Sequence, residues 1–548
     1  MFVALPNELH LGGAMKNFKA FPLATLLIAA APAQISPERI KADVRTLSSD
    51  GFEGRGPGER GEAKTIDFLT RSFAAAGLEP AGDNGGWTQD VPLVRLDRLP
   101  GAQISLGRRP LAIGRDVSLT LRNAGPWSIV DAPLIFAGWG VVDPKLGYDA
   151  YRGVDMRGKV ALLLANDPDF EAGRDLGFGG RSLVLAGRTG TKVAAAVQAG
   201  AAGVIFIHEE AAYSFPFAQF GNTVGVPSMT YAPIQQSRLG FSAVVRRDIA
   251  QQLLRQSGFT LEALKVRARS PQFRAIPLLA TASVSGVNRA TPFTSHNVVA
   301  KLTGAARPNE YVLFGAHWDA NGHNGPDATG DAIRNGAIDN ATGTAELLEI
   351  ARAFAAGKRT ARTIVFGAWT AEEKGLLGSE WFAAHPLIPL ERTAAVINLD
   401  PHLVLPAARN LELIGPGKTN LEQRLATAAA AGGLRVSLEP IPEAGWYFRS
   451  DHLPFAQRGV PAIAFRAGRD LIDGGLASGT RMVAAFNAHC YHQPCDEFAA
   501  TWTFAGTGQE ATAAYRLGLD VANASGWPSW NRGSEYLPLR EKTAASRP

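Results

Sequence analysis

The second half of the chain is built from short, unbroken apolar runs set between polar and glycine-rich stretches, the pattern of strands buried on both faces. Residues 311–316 (YVLFGA), 362–369 (RTIVFGAW) and 394–399 (AAVINL) are three such runs. Between the first two, residues 340–354 (NATGTAELLEIARAF) space their apolar positions as a helix does. Nearer the start, residues 47–80 read as a loop followed by an amphipathic helix. This order of elements predicts an α/β unit with a mixed, largely parallel central sheet flanked by helices.

A second pattern interrupts the first. Residues 132–141 (APLIFAGWGV), 159–165 (KVALLLA), 203–207 (GVIFI) and 226–229 (VPSM), with a helical stretch at 191–199 (TKVAAAVQA), predict a small inserted α/β domain over residues 126–274. The flanking segments 34–125 and 275–548 then form one discontinuous domain. Glycine-rich residues 173–190 (GRDLGFGGRSLVLAGRTG) predict loops over or beside the site, and residues 527–548, polar and proline-containing, a peripheral tail.

The polar residues after these runs carry the candidate chemistry. His317 and Asp319 (GAHWD) stand where the first run spills into a loop, and strand ends are where α/β folds place their reactive groups. A histidine there can give one ring nitrogen to a metal while the carboxylate two residues on holds its other N–H. Asp339 starts the helical stretch, where it reads as a helix N-cap or as a ligand. Glu372 and Glu373 follow the second run. Alone they resemble a solvated first helical turn, and two adjacent carboxylates in a tight site hold a proton unless a cation compensates. Because successive side chains diverge, one of them can bind metal while the other reaches a water. The third run ends on Asp400, and Pro401 discourages its continuation. His492 lies in the loop-like stretch 487–496 (NAHCYHQPCD), with His489, His452 and His402 near similar motifs. Three successive runs thus end in a candidate ligand, a recurrence that the bland readings of single residues do not explain.

In this order, GAHWD, IDNATG, AEEKGLLGS, NLD, SDHLPFAQRGVPA (residues 450–462) and YHQPCDE resemble the M28 family of co-catalytic zinc aminopeptidases and their carboxypeptidase relatives. The resemblance covers most of residues 35–122 and 297–524. It implies a zinc-exopeptidase-like fold with two zinc ions. One is held by His317, Asp339 and Asp400, the other by Asp339, Glu373 and His492, with Asp339 bridging. It makes Glu372 the general base that takes a proton from water and passes it to the leaving amine. It makes Asp319 the residue that orients His317. Tyr447, three residues before SDH, matches a tyrosine that helps stabilise the tetrahedral intermediate, with Tyr491 a nearby competitor. Imidazole and carboxylate donors without thiolate also admit cobalt or manganese. Through GWGVV, GKVALLL and KVAAAVQAGAAGVIFIHE the insert resembles the protease-associated (PA) domain of secreted peptidases in this family, where it either covers the mouth of the site or serves as scaffold.

Composition fits a large enzyme. At 548 residues, 46% hydrophobic and 19% charged, the chain can bury an extensive core in more than one domain. A net charge of +5 without a strongly basic run gives no case for a nucleic-acid partner. From Met15 the chain reads as an export signal: Lys16 and Lys19, an apolar run, then Ala31, Pro32 and Ala33 as a cleavage site, so that residues 1–33 form a signal region with its true start at Met15. That run is shorter than the roughly 20 apolar residues of a membrane span, and no later stretch approaches that length. The expected location is periplasmic or secreted. There Cys490 and Cys495 either pair in a small disulfide that stiffens the loop around His492 or stay as buried small residues. Lookalike motifs fail: HEEAAY from His208 lacks the second histidine of HExxH, GPGKT at 415–419 has Glu412 where a P-loop needs glycine, and no GxSxG occurs.

The expected function is therefore an exported zinc exopeptidase acting on peptides, an aminopeptidase first. A carboxypeptidase or other amide hydrolase on the same scaffold, with Arg449 or Arg466 binding a substrate carboxylate, is the alternative. A non-catalytic, receptor-like homologue would have lost ligands, whereas every matched ligand and Glu372 are present here. Side-chain preference and oligomeric state are left open by the sequence.

Overall fold

The structure, a computed structural model, describes residues 34–221, 225–327, 329–401 and 403–547. The export-signal reading of residues 1–33 and the candidate His402 lie outside the described residues.

The apolar runs form the expected strands. Along the catalytic sheet these are β1 (Ile276–Leu302), β2 (Arg307–His317), β3 (Arg362–Trp369), β4 (Thr393–Asn398), β5 (Asn410–Ile414), β6 (Arg435–Leu438) and β7 (Ala462–Ala467). Their order is β1-β3-β2-β4-β7-β5-β6. The centre, β3-β2-β4-β7, is parallel, while β1 and β5 run antiparallel to their neighbours β3 and β7. Every residue of β3 and of β4 is buried, as the unbroken apolar runs require of strands covered on both faces.

One cover is helical: α1 (Pro37–Leu47), α2 (Arg60–Ala75), α3 (Gly343–Ala356) and α4 (Ala505–Asn523) share a hydrophobic cluster with Phe314 of β2 and Phe366 of β3. The amino-acid choices in α1 show why it forms and where it docks. Ser36 accepts a hydrogen bond from the Arg39 N–H at the N-terminus, proline occupies the first turn, and Ile40, Val44 and Leu47 recur on one buried face. Burying each of these contributes about 1.5–3 kcal/mol. Arg39 adds an ion pair to Glu349, whose carboxylate is fully enclosed on α3. On the opposite face Phe382 and Phe455 pack against Trp369.

The insert forms a second hydrophobic core. Its strands Gly125–Phe136, Val160–Leu164, Gly203–Ile207 and Phe241–Val245 lie parallel in that order. Val117–Leu121 then adds antiparallel to Phe241–Val245. Ile104, Leu106, Val117, Leu119 and Leu121 are buried in this core, as are Ala282 and Val284 of β1. The expected boundaries at 126 and 274 therefore fall inside the unit. Short strands such as Gln103–Leu106 lack the long apolar runs that made the rest of it visible in the sequence.

The two units share one strand. Over its 27 residues β1 pairs first with Gly125–Phe136, then with Thr88–Arg98, and last with β3. No described helix is long and apolar enough to cross a membrane.

Candidate metal centre

Because β2, β3 and β4 run parallel, their C-terminal ends deliver side chains to the same edge of the sheet. His317 is the last residue of β2. Glu372 and Glu373 lie just beyond β3 and Asp400 just beyond β4. Asp339 comes from the turn that precedes α3, and His492 from a loop closed by a disulfide between Cys490 and Cys495. Ala371, before the glutamates, and His492 both adopt positive φ, 52° and 60°. Such φ values are uncommon outside glycine and concentrate where function fixes the backbone.

These side chains converge. The ring Nε2 of His317 is 3.3 Å from Asp339 Oδ1 and 3.9 Å from Asp400 Oδ1. The Nε2 of His492 is 3.2 Å from Asp339 Oδ2 and 3.2 Å from Glu373 Oε2. Two three-residue groups result, His317-Asp339-Asp400 and Asp339-Glu373-His492, and Asp339 turns one oxygen to each. Zinc ligands lie about 2.0–2.2 Å from the ion, so a tetrahedral site separates them by roughly 3.3–3.6 Å. The observed separations fit that spacing, with Asp400 the loosest member. Nitrogen and carboxylate donors without sulfur suit zinc or a harder divalent cation.

The charges point the same way. Burial lifts the Glu372 carboxyl well above the usual carboxylate range against His317's opposing pull, and Asp451, Asp400 and Glu373 push it the same way as burial. Burial likewise raises Glu373 and Asp400. For His317, burial works against the charged ring, but Glu372, Asp319, Asp339 and Asp400 outweigh it and push the pKa up. Buried carboxylates crowded together this way call for a cation between them.

A surrounding set of polar groups fixes each donor. Asp319 lies beside His317, as expected, but the closer contact to the ring Nδ1 is its main-chain oxygen, at 3.1 Å against 3.6 Å for the carboxylate. Its Oδ1 instead accepts the Glu372 N–H at 3.0 Å, so Asp319 braces both the histidine and the glutamate turn. Asp496 accepts the N–H groups of Ile338 and Asp339, at 2.9 and 3.0 Å, and so holds the Asp339 turn. Ser450 donates to Asp400 while accepting from Asn398.

Arg55 does the same from the N-terminal segment. Fully buried, it donates to the carbonyls of Leu47, Trp318, Asn335 and Gly336, clamping together the loops that carry His317 and Asp339. Arg55→Ala would strand these acceptors. It is expected to cost about 3 kcal/mol or more of stability and to weaken metal retention, read by thermal unfolding and metal analysis.

Some expectations are corrected. Tyr447 does not line the site: it sits inside the Trp446–Phe448 turn with Lys418 over its ring, and its hydroxyl faces the Ala462 carbonyl at 3.5 Å. Tyr491, its competitor, does line the site, stacking on the His492 ring at 3.8 Å and accepting from Arg449 at 3.2 Å. Arg466 is enclosed and paired to Glu412, so it offers nothing to a ligand. His452 is buried against Tyr447, and burial pushes its pKa down to about 3. Among the described residues the metal-type groups include neither His452 nor His489. Arg55 and Asp496 were not singled out in the sequence. Asp496 had a signal, its place four residues after His492 in YHQPCDE, whereas Arg55 in FEGRG had none beyond the rarity of a buried arginine.

The centre floors a cavity of about 410 Å³ between the two units. The insert contributes Arg188, Tyr213, Phe215 and Phe220, and the catalytic unit Trp446, Phe448, Arg449 and Tyr491. The units grip each other here: Arg188 donates to the Phe448 carbonyl, Asn166 to that of Glu443, and Arg181 pairs with the Glu443 carboxylate.

A mixed sheet that brings imidazoles and carboxylates to the ends of its parallel strands is the framework of an α/β metal-binding protein. Residues 297–515 match the model of peptidase family M28. A probable zinc metalloprotease of Pyrenophora teres f. teres is 45% identical over 109 residues, 20% of this chain and 23% of that protein. The aminopeptidase NAALADL1 of Mus musculus is 41% identical over 123 residues, 21% of this chain and 15% of that protein. The chain thus spans less than a quarter of the length of either curated relative. Among solved structures, an aminopeptidase from Aneurinibacillus sp. strain AM-1 shares the fold, with a TM-score of 0.54 at 18% identity over 90% of this chain and 96% of that one.

Proposed function

We propose that the protein is an exported aminopeptidase that hydrolyses peptide bonds with two zinc ions and Glu372 as general base. The observation that carries this reading is the Asp339 carboxylate, which faces His317 with one oxygen and His492 with the other and so joins two ligand groups at the floor of one cavity. Zinc bound there supplies Lewis acidity, which polarises a carbonyl and brings the pKa of a water toward about 7. Glu372 belongs to neither ligand group and lies at their edge, 3.9 Å from His317 Nε2. It takes the proton of the attacking water and returns it to the leaving amine. Tyr491, steadied by Arg449, is the donor placed for the oxyanion, in the role first expected of Tyr447. The carboxylate-rich floor suits a free ammonium group, and the aromatic wall suits an apolar side chain. The insert, read as protease-associated-like, supplies part of that wall. Export rests on the pattern of residues 15–33.

Arg449 favours a second reading. It lines the cavity, lies 4.2 Å above the Trp446 ring, and has no carboxylate within ion-pair reach among the described residues. A substrate carboxylate seated on it would make the enzyme a carboxypeptidase. A panel of free, N-acetylated and C-amidated peptides separates the two. Acetylation is expected to lower kcat/KM by about 100-fold or more and amidation by less than about threefold. The reverse pattern would establish the carboxypeptidase reading.

A further inference from the structure

The metal centre opens on two cavities. Besides the aromatic one, a second cavity of about 340 Å³ reaches Glu373, Gly375 and His492 from another side, and these three residues border both. Its remaining wall is mixed: Arg98, Ser118, Thr120, Asn288, Asn321 and Lys374 line it among apolar residues that include Leu96, Ile113, Val226 and Pro227. The strand Val117–Leu121 alternates, turning Val117, Leu119 and Leu121 into the insert's core and leaving Ser118 half-buried and Thr120 exposed. Its edge carbonyls are already covered, Leu119 by Arg98 and Leu121 by Asn288 at 3.0 Å. The cavity therefore presents the Ser118 and Thr120 hydroxyls, beside polar groups already tied to the protein such as the Lys374 ammonium, which donates to Asn321 Oδ1. Such groups can bind peptide N–H and C=O groups whatever side chains the peptide carries.

We propose that this second cavity binds the main chain of a peptide beyond the scissile bond. The substrate bridges the metal centre, with its terminal residue in the aromatic cavity and the body of the chain in the second one. Oligopeptides, rather than dipeptides, are then the preferred substrates, because binding energy from the remote part of the chain serves the reacting bond. The inference rests on reading the centre as a peptidase site.

Two measurements test it. The first is the ratio of kcat/KM for a tetrapeptide over the dipeptide with the same terminal pair, expected to be about tenfold or more in the wild type and below about threefold in Thr120→Trp, whose bulk enters the cavity. The second does not need turnover. The two native cysteines are joined to each other, so Ser118→Cys introduces a lone reactive thiol. A reduced-amide tetrapeptide, which cannot be cleaved, is expected to slow its maleimide labelling by about fivefold or more, and the dipeptide analogue to leave it unchanged. A wild-type enzyme that cleaves both lengths equally, or a thiol that no tetrapeptide protects, overturns the inference while leaving the peptidase reading intact. Protection without cleavage of any peptide upholds the site and removes the peptidase reading.

Discussion

Glu372→Gln is expected to lower kcat by about 10³-fold while leaving the metal content at the wild-type value, the loss typical of removing a general base. The expectation follows from position. Glu372 borders the ligand groups without belonging to either, and its backbone N–H is pinned to Asp319, so glutamine can occupy the same place. Glutamine keeps the shape and hydrogen-bonding reach of the side chain but cannot carry a proton away from water. Steady-state kinetics beside elemental analysis of the same preparation decides the matter. Wild-type turnover removes the base assignment, and a drop in bound metal would make Glu372 a ligand instead.

The second large effect concerns stoichiometry. Asp339 is the one residue common to both ligand groups, so Asp339→Ala is expected to deplete both ions and abolish measurable activity. Asp400→Ala and Glu373→Ala each remove a ligand from a single group and are expected to leave about one ion, the other being weakened by more than about 100-fold. The folded chain should survive, since Asp496 contacts the backbone of residues 338 and 339 rather than the Asp339 side chain. Circular dichroism checks the fold, and metal analysis of the three variants under identical dialysis gives the ordering. Equal depletion in all three would show that the ions bind only as a pair.

How much of this was legible in the sequence depends on whether a residue's role follows from its neighbours along the chain. β3 and β4 were visible because strands buried on both faces must be apolar throughout, and parallel strands must end at a common edge. That is why His317, Glu373 and Asp400, each set just past such a run, could be taken together. Asp339 and His492 followed through the family resemblance, and the disulfide that the spacing of Cys490 and Cys495 left open is formed. The failures have a different source. On paper Tyr447 is preferred with Tyr491 as its competitor, and the turn at Trp446–Phe448 takes the Tyr447 ring away from the site. Arg449 and Arg466 differ only in what lies across from them, open cavity for the first and Glu412 for the second. Arg55 acts on carbonyls more than 250 positions away along the chain, a relation that no local pattern encodes. The start of the insert was placed late because strands of four or five residues leave too little periodicity to read.

The strand that the two units share bears on how this architecture can be altered. An inserted domain joined by two flexible linkers can be cut out and the ends rejoined. Here β1 runs from the insert's core to the edge of the catalytic sheet as one strand, and its first dozen residues pair with the strands Gly125–Phe136 and Gln103–Leu106. Excision of the insert would leave that half of the strand as a bare, hydrogen-bonding edge, prone to pair with other chains. Swapping inserts between relatives would therefore need its crossover points near 103 and 288, in register with Thr88–Arg98, rather than at the ends of the glycine-rich loops.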